Sequence, residues 1–101
     1  MYDICAVLST VNNYMDTSCF EPAYSWDFVE FRRRAYQRWA ICEVCNRIIN
    51  NPFDAPSDIA EDFVIEMSMY ACHSEQEPCR FIFQTALETA ESLLPLLKPY
   101  C

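Results

Sequence analysis

Cys42, Cys45, Cys72 and Cys79, with the lone His73, are the residues of this chain whose types and spacing could do chemistry. Zinc takes four thiolate or imidazole ligands, and a Cys-x-x-Cys pair followed by Cys72-His73 and a further cysteine could supply them. The context argues against it. A zinc knuckle bends around glycine, and the chain contains none; Cys42 and Cys45 instead fall within a long helix-forming stretch. A redox Cys-x-x-Cys pair uses a helix N-terminus to lower its thiol pKa, and these two cysteines are placed mid-helix. Small apolar core thiols are the better reading, with Cys42 on the apolar seam of its helix. A zinc-stabilised helical domain using Cys42, Cys45, Cys72 and Cys79 is the alternative.

Other catalytic patterns are missing. No Ser-His-Asp set, HExxH, phosphate-binding loop or dinucleotide fingerprint occurs. The carboxylate pairs Glu61/Asp62 and Glu75/Glu77 come without the residues of a cleft, and His73 reads as a helix-end residue. The sequence therefore predicts a protein that is not an enzyme and needs no cofactor.

Charge is the stronger functional signal. The 101 residues carry a formal net charge of −8. Residues 51–91 hold nine acids and one arginine, which equals that whole charge. Asp58, Glu61, Asp62 and Glu66 cluster, and Glu75 and Glu77 follow. An acidic stripe on a rigid helix can stand in for nucleic-acid phosphates and occupy a basic groove. Those six residues are the candidate partner-binding set, and a solvated face is the bland reading. Direct contact with nucleic acid is disfavoured. Arg32, Arg33, Arg34, Arg38 and Arg47 are expected to pair with acids on neighbouring helices or to cover the polar side, with Arg34 or Arg38 suited to a bidentate contact.

Composition sets the fold class. An apolar fraction of 52% with 15% aromatic residues implies a filled interior. The lack of glycine argues against most β folds, whose tight turns need positive φ. One domain over residues 1–101 is expected. No stretch is long and apolar enough for a membrane span, and MYDICAVLST does not read as a signal peptide, so a cytoplasmic protein with reduced thiols is expected.

Helices must position these residues. Residues 25–50 form the long central one, with Phe28, Phe31, Ala35, Trp39, Cys42, Cys45 or Asn46, and Ile49 as its seam, widened by Val29, Tyr36, Ala40, Val44 and Ile48. Ser25 is its candidate N-cap. A first helix covers residues 2–15 through Ile4, Leu8, Val11 and Met15. After Asn51-Pro52, Phe53 is expected to plug inward. A third helix opens at Ser57 or Asp58 with Glu61 completing a capping box, and buries Ile59, Phe63, Met67 and Tyr70. A fourth follows the capping-box spelling Ser74-Glu75-Gln76-Glu77, and Pro95 ends or kinks it. The expected architecture is an all-α four-helix bundle built around the central helix.

In size, charge and expected fold the chain resembles the small, acidic, all-helical proteins of phages and mobile elements, among them anti-CRISPR and other anti-defence inhibitors. No motif carries that resemblance and no residue roles come with it. It implies an interaction module that inhibits or modulates a nucleic-acid-binding protein. Self-association of two copies through Trp26, Phe28, Phe31 and Tyr36 is the remaining alternative.

Overall fold

The structure is a computed structural model that describes residues 2–18 and 28–100. Four helices pack together: α1 (Ile4–Ser18), α2 (Phe28–Asn50), α3 (Pro56–His73) and α4 (Glu77–Leu97), with a 3-10 turn over Lys98–Tyr100. There is no strand among the described residues. The expected N-cap Ser25 and the aromatic Trp26 lie outside the described residues.

Each junction has a local cause. Asp3 accepts a hydrogen bond from the Cys5 amide at 3.0 Å and so caps α1. Asn51 closes α2: its side-chain amide donates to the Arg47 carbonyl at 2.8 Å, and Pro52 prevents further helix. α3 begins earlier than the capping-box spelling suggested. Ala55 is its N-cap and makes no side-chain cap hydrogen bond, because Pro56 already holds the helical φ at the first position. Ser74 does not start α4 either. Its hydroxyl donates back to the Tyr70 carbonyl at 2.7 Å, so it ends α3, and α4 begins at Glu77 behind Gln76. The Arg80 guanidinium bridges the junction by donating to the Ser74 carbonyl at 3.3 Å. Pro95 lies inside α4, which runs on to Leu97.

One core draws on all four helices: Val7 and Val11 from α1; Ala40, Ile41, Val44 and Ile48 from α2; Ile59, Ala60, Phe63 and Met67 from α3; Ala86, Ala90, Leu93 and Leu97 from α4. Fully burying one Phe63-sized side chain is worth about 1.5–3 kcal/mol. Ring pairs join the helices at the edge of this core. Tyr36 meets Phe81 edge-on at 5.7 Å, Trp39 meets Phe63 at 6.1 Å, and Tyr70 meets Phe83 at 5.1 Å. The buried Thr89 hydroxyl is satisfied by the Thr85 carbonyl at 2.8 Å.

α2 is rotated relative to the expected seam. Ala40, Val44 and Ile48, expected to widen that seam, point inward and are fully buried. Ala35, Cys42, Asn46 and Ile49 point outward, and Trp39, packed on one side against Phe63, is still 43% exposed. The helix carries two apolar stripes and can bury one of them. The outward stripe contains Asn46, whose amide would have no partner in a dry core, while the inward stripe is wholly aliphatic. Phe53 also departs from expectation. It is 87% exposed because the Asn51–Asp54 turn, closed by the Asp54 amide on the Asn51 carbonyl, turns it away from the bundle.

Candidate functional site

The helical period decides which acids come together. On α3, Asp58, the adjacent pair Glu61 and Asp62, then Ile65, Met69 and Cys72 share one face of the helix, and all six are exposed. Ile59, Phe63 and Met67 hold the opposite face in the core, which fixes the orientation of this row. Asp58 lies in the first turn, where a carboxylate is favoured by the helix dipole. Ile65 is 59% and Met69 57% exposed, so two large apolar side chains continue the acidic row along the outer surface.

The other expected contact residues sit elsewhere. Glu66 is turned toward α2, and its Oε2 accepts from Arg47 Nη1 at 2.9 Å. Arg47 also reaches Glu43 at 3.4 Å and stacks over the Phe63 ring at 4.9 Å. The hydrogen bond to Glu66 raises the Arg47 pKa above the usual guanidinium range, against the effect of its partial burial. Glu66 is thus part of the α2–α3 strap. Asp62 leans toward the same region, where Arg47, Asn51, Asp54 and Ile59 line a hollow of about 200 Å³ with it. Glu75 is exposed in the turn after α3, and the Glu77 side chain lies outside the described residues. The expected pairing of an arginine with an acid on a neighbouring helix is seen at Arg47. Arg32 instead donates to the Tyr36 hydroxyl of its own helix at 3.2 Å.

The cysteines do not behave as a set. Cys42 and Cys72 are exposed rather than core thiols, and Cys45 and Cys79 are half-buried. Cys42 is outside because it rides the outward stripe of α2. Burial, and secondarily the nearby Cys42, pushes the Cys45 thiol pKa up. Among the described residues no three His, Cys, Asp or Glu side chains converge as metal ligands. His73 is exposed in the last turn of α3, the position expected of a helix-end residue.

A second hollow, of about 430 Å³, opens at one end of the bundle between Tyr2, Pro52–Ala55, Pro99 and Tyr100. Tyr100 is anchored there by a 2.7 Å hydrogen bond between its hydroxyl and that of Thr10. No helix among the described residues is long and apolar enough to cross a membrane.

No family model matches the chain, and neither a curated protein nor a solved structure is significantly similar to it.

The sequence singled out Asp58, Glu61 and Asp62 but not the exposed Ile65 and Met69 that share their face. The signal was available: Ile65 falls three and four residues after Asp62 and Glu61, Met69 falls four after Ile65, and both lie off the Ile59–Phe63–Met67 stripe.

Proposed function

We propose that this chain is a small interaction module that binds a basic partner protein through the outer face of α3. The observation that carries the reading is the exposure of Ile65 and Met69 in one row with Asp58, Glu61 and Asp62. Protein interfaces join an apolar anchor to a polar rim, and this row supplies both. The carboxylates steer a positively charged surface into place, and the two apolar side chains slow its departure.

The narrower form of the proposal is inhibition of a nucleic-acid-binding protein, whose phosphate-binding groove has the required charge. Self-association needs a different surface, because an acidic row repels its own copy.

The test uses the chain as bait for host proteins, then measures affinity for the captured protein across a salt series. Affinity should fall steeply as salt screens the carboxylates, since the Debye length is about 10 Å at 0.1 M. Asp58→Lys, Glu61→Lys and Asp62→Lys together should slow association, and Ile65→Ser with Met69→Ser should speed dissociation. Full affinity in both variants would refute the proposal.

A further inference from the structure

The outward stripe of α2 has the spacing of a coiled-coil seam. Ala35, Trp39, Cys42, Asn46 and Ile49 are four, three, four and three residues apart, and all five are exposed. Phe31, one turn earlier, is nearly half exposed as well. In heptad terms Trp39 and Asn46 occupy a positions, and Ala35, Cys42 and Ile49 occupy d positions. From Ala35 to Ile49 the stripe is about 21 Å long at 1.5 Å per residue.

We propose that this stripe pairs with the same stripe of a second copy, the two α2 helices running parallel. Two features select that occupant. First, a single Asn at an a position satisfies its amide against the same residue across a parallel two-fold, and any slipped register buries it unpaired. Second, Arg38 lies at a g position and Glu43 at the following e position. Parallel pairing brings Arg38 beside Glu43 of the other copy, whereas antiparallel pairing sets g against g and loses that contact.

The helix is already held in the bundle, so pairing carries little of the ordering cost that makes an isolated two-heptad helix unstable. The surface is small, which makes the dimer a reversible one. It is separate from the α3 proposal, and salt distinguishes the two. Binding to α3 weakens as salt rises, while pairing through an apolar seam does not.

Sedimentation equilibrium from micromolar to sub-millimolar concentration tests this on the full chain, with Ile49→Glu and Asn46→Glu as variants. Both positions are exposed, so circular dichroism and melting should match the parent. The parent should dimerise, and each variant should weaken the dimer about tenfold or more. Mild oxidation should trap a Cys42–Cys42 disulfide, mapped by peptide mass spectrometry, because d positions face each other across a parallel seam. A parent that stays monomeric throughout would overturn the proposal. So would a dimer that survives both variants, or one trapped through Cys5 or Cys72 with no Cys42 product.

Discussion

Arg47 on α2 donates from Nη1 to Oε2 of Glu66 on α3 at 2.9 Å, while its guanidinium lies 4.9 Å from the centroid of the buried Phe63 ring. One side chain thereby joins two helices by charge and by packing. Both partners of the ion pair are about a third exposed, so the charge contribution is modest, about 0.5 kcal/mol. The cation–π contact adds about 0.5–1 kcal/mol. A double-mutant cycle on Arg47→Met and Glu66→Gln should return a coupling of that smaller size, with Arg47→Met costing more than Glu66→Gln. The raised Arg47 pKa stabilises the fold below the usual guanidinium range, and that stabilisation is lost only as pH climbs through the raised value. Chemical denaturation across neutral pH should therefore show no contribution from Arg47 titration.

The rotation of α2 makes a clear prediction about stability. Ile48 is fully buried, and Ile48→Ala should cost about 2–5 kcal/mol, enough to unfold much of a small domain. Trp39, though larger, leaves part of its surface in water, and Trp39→Ala should cost about 1–2 kcal/mol. Urea unfolding of the two variants checks the order.

Thiol reactivity follows burial and pKa. Cys42 and Cys72 are exposed, whereas Cys45 is half-buried with its thiol pKa pushed up, which leaves less thiolate at any given pH. Alkylation followed by peptide mapping should modify Cys42, Cys72 and the likewise exposed Cys5 first. Cys45 should lag, and its rate should rise only as pH passes the ordinary thiol range of about 8–9.

The turn after α2 should separate capping from packing. Phe53→Ser should shift stability by no more than about 0.5 kcal/mol, because the ring is almost wholly solvated. Asn51→Ala removes the 2.8 Å hydrogen bond to the Arg47 carbonyl and should cost about 0.5–1.5 kcal/mol. Thermal melts of the two variants check this.

Periodicity made the four helices and most of the α3 core stripe legible: Ile59, Phe63 and Met67 are buried as expected, whereas Tyr70 is 46% exposed and packs on Phe83 at the core's edge. It could not orient α2, because that helix has apolar residues on both sides and the step pattern of three and four fits each of them. Asn46 was the residue that could have decided it. The acids were legible as a run but not as a surface. Glu66 lies one turn beyond Asp62 and only about 40° further round the helix, enough for it to be drawn inward to Arg47 while Asp62 stays at the edge of the outer row. Ser57 and Ser74 misled for a related reason: a capping spelling says nothing about whether Pro56 has already started the helix or Tyr70 offers a closer carbonyl.

The central claim is that the outer face of α3 is the binding face, and methionine methyl NMR tests it most directly. Met69 lies on that face, Met67 two residues away is buried, and Met15 belongs to α1. Titrating the captured basic partner into methyl-labelled protein should shift or broaden the Met69 resonance while Met67 and Met15 stay in place. A bound complex in which Met69 is silent and Met15 moves would contradict the account and place the partner on the other side of the bundle.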